Sequence, residues 1–241
     1  MLQFTNKQHR KIMKTFVHGD KVLPYYVCPM RKEDIAQANE IDREAFPTQW
    51  PPPDYRRELQ NPLARLIVAC DESKTVAVPE WKASNTSGLV SRIKRLLNRE
   101  RFFGEKPSPG GQYVLGFASI WVMADEAHLT NIAVRKQYQR QGIGEQLLIS
   151  IIDLAAELKA NFITLEVRVS NTTAQSLYHK FGFTQTGVRP GYYTDNREDA
   201  LLMSTESITS APFQARLQQL KRAHASKYGA DNNPMVKTSD S

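Results

Sequence analysis

The sequence predicts an α/β (α+β) fold: one mixed central sheet with flanking helices, elaborated by a basic helical insertion and a C-terminal helical tail. Three observations lead there. Short runs rich in β-branched and aromatic residues alternate with segments whose apolar residues recur at helical spacing. A glycine-bearing turn sits between one such run and the most strongly amphipathic stretch of the chain. Two segments of different composition, both basic, stand outside this alternation.

Taken in order, "YYVC" (residues 25–28) reads as the first strand. In "MRKEDIAQANEIDREAF" the apolar positions Ile35, Ala38, Ile41 and Ala45 fall on one helical face, and Pro47 ends the pattern. "PTQWPPP" is a rigid loop, and a second short helix begins at Tyr55. "ARLIVAC" (64–70), "YVLGFASIWVM" (113–123) and "AHLTNIAV" (127–134) are strands by composition. From Gly144, the positions Leu147, Leu148, Ile151, Ile152, Ala155 and Leu158 mark a long amphipathic helix. "FITLEVRV" (162–169) is a strand, 172–180 a helix, and residues 181–204 hold a closing pair of strands.

Residues 71–112 read as an insertion that lengthens a hairpin. A structureless loop of that size is uncommon inside a domain, and "LVSRIKRLLNRERFF" places Leu89, Ile93, Leu96 and Leu97 on one helical face. "FQARLQQLKRAHASKYG" is a second basic helix, and "ADNNPMVKTSDS" after it reads as disordered. The organisation expected is a basic extension over 1–22, a central domain over 23–206 containing the insertion, and a basic tail over 207–241.

The chain's 241 residues suit one elaborated domain, and its hydrophobic fraction of 41% suffices for a core. No apolar run approaches the roughly 20 residues of a membrane span, and the polar start has no signal-peptide core. Cys28 and Cys70 are too few and too separate for a disulfide framework or zinc site. A cytoplasmic protein with reduced thiols is expected. The formal net charge of +7 is unevenly spread. Residues 1–22 hold five basic side chains against one acid, 73–111 hold eight against three, and 207–241 hold five against two, so the remainder is acidic.

The turn "YQRQGIG" (138–144) has the composition of an anion-holding loop, since glycines before a helix expose backbone amides. No Lys-Ser/Thr follows the second glycine, which excludes a Walker loop, and Leu147 occupies the third-glycine position of a dinucleotide fingerprint. The same glycines would also serve a plain tight turn. Residues around the loop carry the argument further. The succession "HLTNIAV", "QRQGIG", long helix, "LEVRVSN", "LYHKFGF" and "YYTDNREDALLM" resembles the GNAT superfamily of acetyl-CoA-dependent N-acetyltransferases. Within it, the likeness is to the bacterial ribosomal-protein alanine N-acetyltransferases. It covers residues 26–70 and 113–206, with Gln139, Gly142 and Gly144 matching the [RQ]-x-x-G-x-[GA] element.

The resemblance implies a sheet splayed between its two middle strands. Backbone groups of Ile132, Ala133 and Val134 would pair with the pantetheine arm of acetyl-CoA. Gln139, Arg140, Gln141, Gly142, Ile143 and Gly144 would hold its pyrophosphate, and Asn171 would contact the cofactor, although Asn171 could equally cap a helix. Glu166 corresponds to the general base, acting directly or through a water, and Tyr178 to the acid that protonates the leaving sulfur while also touching cofactor. Read alone, Glu166 is an exposed or ion-paired strand residue and Tyr178 a core aromatic. Phe46, Trp50, Arg189, Tyr192 and Tyr193 would border the acceptor. His128 and His179 are expected to be structural or exposed, and no metal is expected.

At neutral pH roughly a tenth of an α-amine is unprotonated, against well under a thousandth of a lysine. Modest base assistance therefore suits an acceptor that is a protein N-terminus, by resemblance that of a ribosomal protein. Lysine side chains or a small amine are the alternative acceptors, and a catalytically idle RNA- or ribosome-binding module is the alternative of another class. The basic segments suit contact with ribosome or RNA through phosphate attraction.

Overall fold

A computed structural model describes residues 21–48, 53–76 and 111–231. A two-residue strand, β1 (Lys21–Val22), precedes β2 (Tyr25–Pro29). Helix α1 (Ile35–Ala45) and the single turn α2 (Tyr55–Glu58) follow, the latter capped by Asp54, whose carboxylate accepts from the amides of Arg56 and Arg57. Strands β3 (Ala64–Val76), β4 (Gly111–Met123) and β5 (Glu126–Val134) form a meander. Helix α3 (Ile143–Glu157) crosses to β6 (Phe162–Arg168), and α4 (Thr172–Lys180) leads to β7 (Phe183–Tyr193) and β8 (Glu198–Thr205). Helix α5 (Ala211–Tyr228) and the short β9 (Ala230–Asp231) complete the described chain.

The main sheet has the order β2-β3-β4-β5-β6-β8-β7, with β5 and β6 parallel and every other pair antiparallel. The parallel step follows from α3, because a parallel partner needs a crossover that a tight turn cannot supply. Period-2 alternation on β3 divides the core between the two faces of the sheet. Leu66, Val68 and Cys70 join Ala38 and Ile41 of α1 and Tyr55 of α2. Ile67 and Ala69 join Leu147, Leu148, Ile151 and Ile152 of α3, with Phe213 and Leu217 of α5.

Two boundaries differ from the sequence expectation. Strand β3 does not stop at Cys70, since Thr75 and Val76 pair with Gln112 and Gly111 after a register shift. The hairpin thus continues six residues into the expected insertion, carried by a Thr-Val pair that alternates like the strand before it. The predicted helix over 89–103 lies outside the described residues, as does residue 20 and everything before it. Ala230 and Asp231, expected to begin a disordered tail, instead pair antiparallel with Val22 and Lys21.

Helix α5 falls where the second basic helix was expected. Helix α3 carries Gly142, Gln146, Ser150 and Asp153 along one side, spaced as neighbours on a helix. Gln146 and Ser150 are buried, and α5 grips both ends of this stripe. Lys221 Nζ lies 2.6 Å from Asp153 Oδ1, and His224 Nε2 lies 2.9 Å from the Gly142 carbonyl oxygen. The predicted basic tail helix is therefore packed on the domain, with its basic residues partly committed inward. Among the described residues no helix is long and apolar enough to cross a membrane.

Candidate active site

The strands that build the site are β5 and β6. They share a parallel ladder only from Glu126↔Phe162 to Leu129↔Leu165. Beyond it β5 continues through Val134 on β4 alone, and β6 continues through Arg168 on β8 alone. A gap thus opens between the two strands at Ile132, Ala133 and Val134. Gly116 on β4 makes this course possible, because a Cβ there would stand 2.7 Å from the Ala133 carbonyl oxygen. The side chain of Ala133 is core, so what β5 can offer across the gap at that position is main chain.

The loop at the gap's end has backbone geometry few side chains tolerate. Arg140 has φ 64° and Gly142 φ 82°. Gln139 donates its side-chain amide to the Val134 carbonyl at 3.2 Å, tying the end of β5 to the loop. Gln141 donates to the Gln137 carbonyl at 3.3 Å, and Arg140 is exposed. Ile143 is 1% exposed, so its side chain belongs to the core. No side chain caps α3. Its first-turn amides, which have no intrahelical acceptors, are left to an anion or water. Added to Gly144, a Cβ would meet only ordinary contacts at 3.8 Å and beyond.

Glu166 lies on β6 with a side chain 9% exposed. Its Oε2 is 3.0 Å from His128 Nε2, and its Oε1 is 3.2 Å from Arg189 Nη1. The hydrogen bond from His128 is the chief reason its carboxyl sits below the usual range; burial opposes that shift, and the charges of His128 and Arg189 add to it. His128, expected to be structural or exposed, faces Glu166 directly. The reason is register: His128 pairs with Thr164, and Glu166 stands two residues along the same face.

The contact continues away from the cleft. His128 Nδ1 lies 2.8 Å from Thr164 Oγ1, whose proton goes to Glu126 Oε1. A hydroxyl has one proton to give. Thr164 donates to Glu126, and the contacts run as one chain from Glu126 through Thr164 and His128 to Glu166 and Arg189.

Tyr178 is 5% exposed and packs against Phe183 with ring centroids 5.6 Å apart. Its ring is core, as the plain reading of the sequence allows. Its hydroxyl has no protein partner among the described residues, yet it is not among the sealed unpartnered atoms, where only Gln146 Nε2 appears. Burial raises the pKa of the hydroxyl. Asn171 caps α4, accepting from the Ala174 amide at 3.1 Å.

On the acceptor side, Arg189 and Tyr192 are exposed, and the Arg189 guanidinium lies 5.5 Å from the Tyr192 ring centre. Tyr193 meets Tyr192 edge-on at 5.2 Å, with the Arg168 guanidinium 3.8 Å from its ring centre. Burial pushes the Tyr193 phenol up to about 12. Arg168 is held by Asp195 and Glu198 at 2.9 and 3.0 Å. Asp195, lowered to about 2, takes a hydrogen bond from Thr48. That bond joins the turn after α1 to the β7–β8 turn, so the two segments expected to border the acceptor meet. Phe46 packs beside the smaller core cluster. Trp50 lies outside the described residues.

The residues missed from sequence are His128, Thr164 and Glu126 beside Glu166, and Tyr25, His224 and Tyr228 behind the loop. Alternation in "EAHLT" and "ITLEVR" marks polar faces on both strands. Only the pairing register brings those faces together.

Residues 81–183 match the acetyltransferase (GNAT) family. A Bacillus subtilis protein assigned as a ribosomal protein bS18-alanine N-acetyltransferase is 35% identical over 175 residues, 72% of this chain and 90% of that protein. The ribosomal protein bS18-alanine N-acetyltransferase of Escherichia coli K12 is 42% identical over 107 residues, 44% of this chain and 72% of that protein. The crystal structure of the Escherichia coli ribosomal-protein-S18-alanine N-acetyltransferase superposes with a TM-score of 0.53 at 25% identity, covering 78% of this chain and 97% of that one.

Proposed function

The chain belongs to the GNAT acetyltransferase family and is an acetyl-CoA-dependent N-acetyltransferase, and we propose that its acceptor is the N-terminal α-amine of a protein, a ribosomal protein beginning with alanine. The observation that carries this reading is the placement of Glu166. Its shielded carboxylate meets the exposed Arg189 guanidinium, with exposed Tyr192 beside it, where an incoming chain end would reach it. The Bacillus subtilis and Escherichia coli relatives are named for that acceptor.

The donor brings an activated thioester. For the donor, the fit is with backbone: the gap beside Ile132, Ala133 and Val134 suits an extended amide-bearing arm, and the uncapped α3 terminus with Arg140 suits a pyrophosphate. Asn171 stands at the start of α4 and would meet the same group. Glu166 accepts the ammonium proton, directly or through a water, and holds the amine facing the gap. His128 and Arg189 hold the two carboxylate oxygens of Glu166 and fix its direction toward the gap. Tyr178, with its phenol kept protonated by burial, donates to the departing sulfur. Holding amine and thioester together supplies much of the rate, and no covalent enzyme intermediate is required.

The test incubates the enzyme with acetyl-CoA and two peptide sets, one with free alanine N-termini and one with blocked N-termini and internal lysines, and maps acetyl groups by mass spectrometry. Acetylation confined to α-amines is expected; equal kcat/KM on lysine overturns the acceptor assignment. The basic segments extend the proposal to ribosome or RNA contact. Replacing Arg92, Lys94, Arg95 and Arg99 together should weaken salt-dependent ribosome binding, and unchanged binding removes that extension.

A further inference from the structure

Behind the loop, two carbonyls are held by side chains from elements far apart in sequence. Tyr25 of β2 donates its hydroxyl to the Gln141 carbonyl at 3.4 Å. His224 of α5 donates Nε2–H to the Gly142 carbonyl at 2.9 Å, and the same oxygen accepts from the Gln146 amide at 2.9 Å, so both of its lone pairs are used. Tyr25 and His224 also meet each other at 3.4 Å. The ring of Tyr228 lies against Gly142 where a side chain would begin: a Cβ there would stand 2.6 Å from the ring. His224 and Tyr228 pack together with ring centres 5.0 Å apart. His224 and Tyr25 are 3% and 5% exposed, so this is a built-in buttress rather than a surface contact.

We infer that Tyr25 and His224, with Tyr228 of the C-terminal helix, are positioning residues that aim the loop's amides at the pyrophosphate of acetyl-CoA. A trans peptide points its C=O and N–H in opposite directions. Fixing the Gln141 and Gly142 carbonyls toward β2 and α5 turns the following N–H groups, of Gly142 and Ile143, the other way. A carbonyl that accepts hydrogen bonds also polarises its peptide unit and makes that N–H a stronger donor. Gly142 serves twice, through its positive φ and through the room it leaves for Tyr228. Helix α5 is therefore part of donor recognition, acting through the loop without touching the ligand. This rests on the reading of the loop as the pyrophosphate site.

The test compares acetyl-CoA with S-acetylpantetheine, which lacks the pyrophosphate, in thiol-release assays with one alanine-starting peptide. Calorimetry of CoA binding gives a second readout that needs no acceptor. In Tyr25→Phe and His224→Leu, kcat/KM for acetyl-CoA and CoA affinity should each fall roughly two- to tenfold, the range for one lost hydrogen bond. Saturating kcat and activity on S-acetylpantetheine should hold, and His224→Gln, which keeps a donor, should recover most of the loss. Equal falls on both donors, or none on either, overturn the inference. Tyr25→Phe removes a single oxygen and keeps the test decisive if His224→Leu does not fold. Gly144→Glu separates the two claims, because it sets a negative charge in the first turn of α3. If it spares the preference for acetyl-CoA, the loop reading itself falls. If it abolishes that preference while the Tyr25 and His224 variants do not, only the positioning role falls.

Discussion

Replacing Glu166 by glutamine keeps the volume and removes the charge, and its consequences can be worked from the two contacts the carboxylate makes. Oε2 meets a donor on His128 and Oε1 a donor on Arg189. A glutamine amide satisfies one of these and presents N–H against the other, so one contact becomes donor against donor. Loss of a positioned general base typically costs about 10²–10⁴ in rate, which is about 3–5 kcal/mol in the barrier at about 1.4 kcal/mol per tenfold. The fall should appear in kcat, with CoA affinity largely kept, because the α3 loop is untouched. The pH profile adds a second signature. The His128 hydrogen bond, ahead of the other influences, depresses the Glu166 pKa, so the wild-type acid limb belonging to this group lies below the ordinary carboxylate range. The variant should lack that limb. A depressed folded pKa stabilises the fold above the unfolded pKa and is lost as pH falls through the folded value. Glu166→Gln should therefore lower Tm more at neutral pH than in acid. Steady-state kinetics and thermal melts across pH measure both effects. A kcat within twofold of wild type at every pH would refute the role given to Glu166.

Three further outcomes follow from the same geometry. Tyr178→Phe removes a hydroxyl with no hydrogen-bond partner among the described residues, so Tm should hold while kcat falls about 10²-fold or more; an unchanged kcat refutes its acid role. His128→Leu removes the main depressor of the Glu166 pKa, so the acid limb of kcat/KM should move to higher pH, and a stationary limb shows that the contact does not govern titration. Leu217→Ala empties a site in the main core at 2% exposure. It should cost about 2–5 kcal/mol and lower Tm by roughly 4–20 °C; a shift of a degree or less would show α5 to be loosely docked.

Local pattern made most of the elements readable. Helical spacing at Ile35, Ala38, Ile41 and Ala45 marks α1, and alternation in "FITLEVRV" marks β6, because each element's own periodicity writes its buried face. The donor loop was legible for a similar reason, since Gly142 and Gly144 announce backbone geometry by themselves. What alternation cannot supply is register. His128 lies 38 positions before Glu166 in the sequence, and nothing local says that it pairs with Thr164. The role of α5 was hidden by its charge. Lys221 reads as solvated until Asp153 is found opposite, and His224 looks like one more polar residue until it meets the Gly142 carbonyl. Side chains whose partners lie on distant elements are the ones that sequence reading missed.

The pairing of Lys21–Val22 with Ala230–Asp231 has a consequence for how the protein is made. Contacts between segments so far apart in sequence form late, because the closure entropy of the long intervening chain opposes them. Helix α5 is the last helix of the described chain to leave the ribosome, and His224 and Tyr228 sit near its end. During synthesis, then, the strands and α3 can assemble while the loop at Gly142 still lacks its support. Competence to grip the donor is expected to arrive as a final event, when the C-terminal helix docks, and refolding followed by CoA binding should lag behind refolding followed by secondary structure.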